Sequence, residues 1–157
     1  MQTNVRQKQL LNLVVFMAKS HYKRSIPMLV QREIQPEIET KEYACLIAFT
    51  HGVADKNHFD TLLLTMNLLL VAGQTDKQKR YAVDFAFKTI KPALQAIKDR
   101  VLKTGKFGVN TTELNAIKKL IDFSREFWQK QTGQLYDFCI DQVNLFYKDC
   151  DSKRSTK

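Results

Sequence analysis

The sequence predicts an all-α fold: one single-domain bundle of four or five helices, in which the two C-terminal helices are long and antiparallel. Three observations carry that prediction. Only 5 Gly and 3 Pro occur in 157 residues, too few for the many tight turns of a sandwich or barrel. Apolar residues recur at the alternating three- and four-residue spacing of a helix seam. Polar caps and closing glycines bracket those runs at several boundaries. With 44% hydrophobic and 26% charged residues the composition is that of a globular chain. A chain of this length buries roughly 70% of its unfolded surface in a single core, without help from disulfides or a metal.

Taken in order, Val5–Lys19 is a first element packed on the bundle. Its apolar stretch Leu10–Ala18 (LLNLVVFMA) is too short, and lacks the small-residue cleavage site, for a signal peptide, so it reads as a buried helix or strand. Ser20–Ile38 contains Pro27 and Pro36 and no clean period, which predicts an irregular linker. A helix over about Thr40–His51 ends at Gly52, a left-handed C-terminal cap. Asp55 caps the next helix, about Lys56–Ala72, which Gly73 closes, and the two form a hairpin.

Thr75 with Gln78 reads as a capping box opening a long helix to about Thr104, closed by Gly105. Val83, Phe87, Ile90, Leu94, Ile97 and Val101 form its seam. Pro92 lies inside it and predicts a kink near Lys88 or a division there. Asn110 with Glu113 makes a second box, opening a last helix towards Lys148 with Leu114, Ile117, Ile121, Trp128, Leu135, Phe138 and Leu145 along one side. Gly133 sits within that pattern and marks either a close-packed neighbour or a break. The polar tail Asp151–Lys157 is expected to be disordered, leaving residues 1–150 as the domain.

The 25 basic and 16 acidic residues leave a net charge of +9, and the excess is local. Residues 1–32 carry six basic and no acidic side chains; residues 33–76 carry two against seven; residues 77–119 carry eleven against three; residues 120–157 are balanced. A basic excess confined to two blocks points to a phosphate-bearing or acidic partner. Cys45, Cys139 and Cys150 are odd in number and form no CxxC, so neither a disulfide framework nor a zinc knuckle is indicated. A cytoplasmic location is expected, and Leu62–Gly73 is far short of a membrane span.

Catalytic and metal-binding constellations are weak. His51 and His58 flank a turn with Asp55 and Asp60, but the spacing matches no ligand pattern, and both histidines fit helix ends. Cys45 lies in the apolar run YACLIAF and Cys139 between Phe138 and Ile140, where a thiol is inert. Glu33, Glu37, Glu39 and Glu42 occupy a linker and a helix start, where acids favour the helix dipole. No phosphate-cradling glycine loop is present. The sequence therefore predicts a protein that is not an enzyme and holds no metal or cofactor.

Nucleic acid is the better candidate ligand. Lys98–Lys119 reads helix, turn, helix, but the turn KTGKFGVNTT is too long for a helix-turn-helix unit. Contact would instead run from a basic stripe to backbone phosphates. The candidate residues are Lys77, Arg80, Lys88, Lys91 and Lys98 on the long helix, with Lys23 and Arg24 from the basic patch His21–Arg24. The bland alternative is that the glutamates of the acidic block fold against the stripe and neutralise it. The late aromatics Phe123, Phe127, Trp128, Tyr136, Phe138, Phe146 and Tyr147 fit a core, or the interface of a homodimer.

His51–Gly73 (HGVADKNHFDTLLLTMNLLLVAG) followed by Leu102–Ile121 (LKTGKFGVNTTELNAIKKLI) resembles a pattern in small, uncharacterised helical proteins of bacterial plasmids, prophages and integrated mobile elements. Phe107 takes the aromatic turn position of that pattern and Glu113-Leu114 its acidic-apolar pair. The resemblance implies an accessory or regulatory protein and transfers no site residue. Two readings follow: a noncatalytic protein that binds nucleic acid, or a nucleic-acid-associated protein, through its basic face; or an inhibitor or adaptor, including one directed at a host defence protein, that grips another protein through an apolar or aromatic helix surface.

Overall fold

The computed structural model describes residues 34–155, which form α1 (Ile34–Thr50), α2 (Lys56–Gly73), α3 (Lys77–Thr104), α4 (Thr111–Gln129) and α5 (Gly133–Ser155). The fold is the all-α bundle the sequence predicts. The expected element Val5–Lys19 and the basic pair Lys23 and Arg24 lie outside the described residues.

Helix α1 begins six residues before the predicted Thr40, inside the expected linker. Pro36 does not prevent this, because a first-turn position needs no amide donor. At the other end Gly52 adopts φ 69°, and the Val53 and Gly52 amides donate to the Ala48 and Phe49 carbonyls at 2.9 and 3.3 Å. These are the two bonds of a Schellman cap. Asp55 opens α2 by accepting the His58 amide at 3.1 Å, while His58 Nδ1 accepts the Asp55 amide at 3.2 Å. His58 thus plays the part a glutamate plays in a capping box.

Helix α2 is apolar on nearly every side and sits in the middle of the bundle, with Leu62, Met66, Leu69 and Ala72 fully buried. Gly73 does not close it by a left-handed turn. The C-cap is Gln74 in right-handed geometry, and a Cβ on Gly73 would stand 3.4 Å from Val83, so the glycine lets α2 approach α3 closely.

The cap of α3 is Asp76 rather than Thr75: its carboxylate accepts the Lys79 amide at 2.9 Å, whereas the Thr75 hydroxyl donates back to the Ala72 carbonyl at 2.7 Å. The predicted seam is buried from Val83 to Ile97. The helix is unbroken through Pro92, which is exposed, so the ring meets no neighbouring helix and only the Lys88 carbonyl loses its helical partner. Gly105, φ 70°, ends it.

Helices α3 and α4 are antiparallel. Phe87 meets Phe123, Thr89 meets Lys119 and Arg100 meets Glu113, so positions rising on one helix fall on the other. The turn between them is pinned at Glu113, whose side chain is 5% exposed. Arg100 donates to Glu113 through both terminal nitrogens at 2.9 and 2.5 Å, and to the Gly108 carbonyl. Asn110 and Glu113 complete the predicted capping box. The Arg100 bonds, acting against burial, hold the Glu113 carboxyl below the usual carboxylate range. Glu113→Ala is expected to destabilise the protein by about 2 kcal/mol, since it removes half a cap and the buried partner of a part-buried pair; urea denaturation checks this.

The last predicted helix is divided. Residues Lys130–Thr132 separate α4 from α5, and the Thr132 hydroxyl accepts the Leu135 amide at 3.1 Å. A Cβ on Gly133 would meet nothing within 4 Å, so the glycine marks a break and not a close neighbour. Helix α5 then runs on to Ser155, into the tail expected to be disordered; Ser152 and Ser155 hydroxyls donate to carbonyls four residues back, and the established helix propagates at little cost. Leu135, Cys139 and Val143 form its buried line. Leu145, placed on that line by the sequence, falls well off it and is 57% exposed. The late aromatics do form core: Phe123, Phe127, Trp128 and Tyr136 contact one another in file with centroids 5.0–5.9 Å apart.

Candidate nucleic-acid interface

The polar side of α3 is set by the burial of its seam. Once Val83, Phe87, Ile90 and Leu94 face α2 and α4, the residues outside that seam meet solvent, Lys77 and Lys88 well away from it and Arg80 and Lys91 along its margin. Lys77, Arg80 and Lys88 are exposed and Lys91 is half-buried. Lys98 departs from the expected stripe: it is only 4% exposed and makes its own interaction. The reason is helical phase. Lys98 lies eighteen residues after Arg80, five full turns, at the margin of the seam beside Leu94 and Ile97, and there the flanking structure covers it. The accessible stripe therefore occupies the first half of the helix.

Neutralisation from the acidic block is not what the described residues show. Lys77, Arg80, Lys88 and Lys91 form no ion pair with a described residue. Arg80 donates to the Gln74 side-chain oxygen at 3.0 Å, and Lys88 Nζ sits 5.8 Å from the centroid of the Phe85 ring. Lys79, by contrast, is paired with Asp76. Asp84 is the one acid between residues 77 and 91.

Glu42 is committed elsewhere. It is 2% exposed, inside the junction of α1, α2 and α4, where one oxygen accepts the Ser124 hydroxyl at 2.7 Å and the Thr65 hydroxyl at 3.2 Å. Its second oxygen meets no donor among the described residues. Burial without a cation pushes its pKa up to about 7, against the lowering effect of the two hydroxyls. The side chains of Glu33 and Glu37 lie outside the described residues, and Glu39 is engaged in its own interaction.

Two surface residues join the stripe that charge counting overlooks. Tyr81 is 75% and Phe85 62% exposed, and their rings face each other with centroids 6.4 Å apart and planes inclined by 21°. Around the helix Tyr81 lies next to Lys77 and Lys88, and Phe85 lies beyond it, on the flank away from Arg80 and Lys91. The signal was their spacing: Tyr81 and Phe85 are four residues apart and out of phase with Val83, Phe87 and Ile90, so a helix that buries its seam must expose them.

Other chemistry is sparse. Among the described residues no group of three or more His, Cys, Asp or Glu could hold a metal, and no helix is long and apolar enough to cross a membrane. Burial pushes the Cys45 and Cys139 thiols up, away from the thiolate a nucleophile needs. Set against known proteins, the chain matches no family model, no curated protein and no solved structure.

Proposed function

We propose that this chain is a noncatalytic nucleic-acid-binding protein, acting as an accessory or regulatory factor of a bacterial mobile element, and that it holds backbone phosphates on the first half of α3. The mobile-element setting rests on the sequence resemblance alone. The observation that carries the binding reading is the set Lys77, Arg80, Lys88 and Lys91, four cations along one helix that form no ion pair with a described residue and have Asp84 as the one acid among them.

Like charges three or four positions apart on a helix cost a few tenths of a kcal/mol per pair, a small standing penalty that an anionic partner converts into attraction. Phosphate contacts of this kind position a strand without reading its sequence. Fluorescence anisotropy of labelled oligonucleotides of unrelated sequence tests the proposal. Binding at about 50 mM salt that weakens steeply towards about 200 mM is expected. Absence of binding at the lower salt, or affinity indifferent to salt, overturns it in favour of the adaptor reading.

A further inference from the structure

We infer that the α3 face takes single-stranded nucleic acid, with bases laid on the Tyr81 and Phe85 rings between phosphates held by Lys77, Arg80, Lys88 and Lys91. The inference rests on the phosphate-binding reading above and adds the class of strand. Its starting point is a mismatch: among the described residues two large aromatic rings stand at 75% and 62% exposure, side by side, next to Lys77 and Lys88 on α3. Neither ring helps hold the bundle, since the seam residues on the opposite side of α3 do that.

Charge selects the occupant. A second copy of the chain docked on this face would bring the same four cations against these four, which disfavours a symmetric contact. A strand of nucleic acid supplies what both parts of the surface lack: negative charge for the lysines and arginine, and flat π-faces for the rings. Bases in a duplex are already stacked and present only their edges in the grooves, whereas an unpaired base offers its face. Lys77 and Lys91 are separated by fourteen residues, about 21 Å along the helix, enough for a few extended nucleotides. Lys88 has a double part in this arrangement. Its ammonium rests over the Phe85 ring, so a base that takes the ring displaces it and leaves it free to meet the adjoining phosphate. Asp84 opposes binding locally, and the four cations outnumber it.

Three probes separate the strand class from phosphate binding as such: a short oligothymidylate, its duplex with oligoadenylate, and an abasic strand of equal length, each titrated in anisotropy with wild-type protein and with Y81A, Y81F and the double variant Y81A/F85A. The wild type is expected to bind the oligothymidylate at least 10-fold more tightly than the abasic strand. Y81A should weaken the oligothymidylate complex roughly 10-fold and Y81A/F85A roughly 100-fold, with Y81F within about twofold of wild type, because the stacking ring is kept. Affinity for the abasic strand should not respond to any of these variants.

Equal affinity for duplex and single strand, or an unchanged affinity of Y81A/F85A for oligothymidylate, overturns the stacking inference and leaves phosphate binding standing. Failure of all three probes to bind at about 50 mM salt overturns both. Sedimentation of the wild type as a dimer that Y81A/F85A dissociates, with strand affinity unaffected, assigns the rings to self-association and also overturns the inference.

Discussion

Replacing Lys77, Arg80, Lys88 and Lys91 together by glutamine is expected to remove most of the salt dependence of oligonucleotide binding. Each cation that neutralises a phosphate on a single strand adds about 0.7 to the slope of log affinity against log salt, so four contacts make the wild-type affinity fall roughly 50-fold between about 50 and about 200 mM salt. The quadruple variant should show a nearly flat profile and weak binding throughout, equally for every sequence offered, because phosphate contacts carry no sequence information. Glutamate at the same four positions should abolish binding. Three of the side chains are exposed and Lys91 is half-buried, so the melting temperature should stay close to wild type. Lys98 supplies the internal control: it is buried and engaged, so K98Q should lower the melting temperature and leave the salt slope unchanged.

Stability should fall as pH rises through neutrality, and Glu42→Gln should abolish that fall. The Glu42 pKa of about 7 in the fold exceeds the ordinary carboxylate value of 4.5, so between these values the folded chain keeps a proton that the unfolded chain has lost. The contribution is complete below about pH 4.5 and is lost as pH rises through about 7, a change on the order of 3 kcal/mol. Physically, the deprotonated carboxylate has two hydroxyls and no cation to compensate its burial. Glu113 works in the opposite sense: its pKa is lowered, so its contribution is present above the ordinary carboxylate value and is lost in acid. The two windows are therefore separate. Urea unfolding at pH 5 and pH 8 should show wild type less stable at the higher pH and E42Q nearly indifferent, while E113Q should be less stable than wild type at both pH values and keep the wild-type difference between them.

Most of the bundle was legible because its boundaries are local. Asp55, the Asn110–Glu113 box, Gly52 and Gly105 act through neighbours three or four positions away, and each does in the fold what the sequence predicts. Features that depend on tertiary neighbours were not legible. Gly73 looks like a stop but serves close packing against Val83, and Asp76 displaces Thr75 as a cap because the Thr75 hydroxyl turns back to Ala72. Glu42 sits where the sequence predicts a helix start, and nothing local reveals that α1 begins at Ile34 and carries this position into the core.

The candidate site divides along the same line. A list of lysines on one helix places Lys77, Arg80, Lys88 and Lys91 correctly at its surface, yet misses that Lys98 shares the azimuth of Arg80 while lying beside the deeper part of the seam. Charge counting passes over Tyr81 and Phe85, and an aromatic residue is ordinarily core; only the phase of the buried seam shows that these two face outwards.

The most direct test of the claim that α3 is the contact face is ultraviolet cross-linking of the full chain to a 5-bromodeoxyuridine-substituted single strand, with adducts located by peptide mass spectrometry. Adducts concentrated within residues 77–91, on Tyr81 and Phe85 above all, are the expected result. Efficient cross-linking elsewhere on the chain with residues 77–91 unmodified would contradict the account.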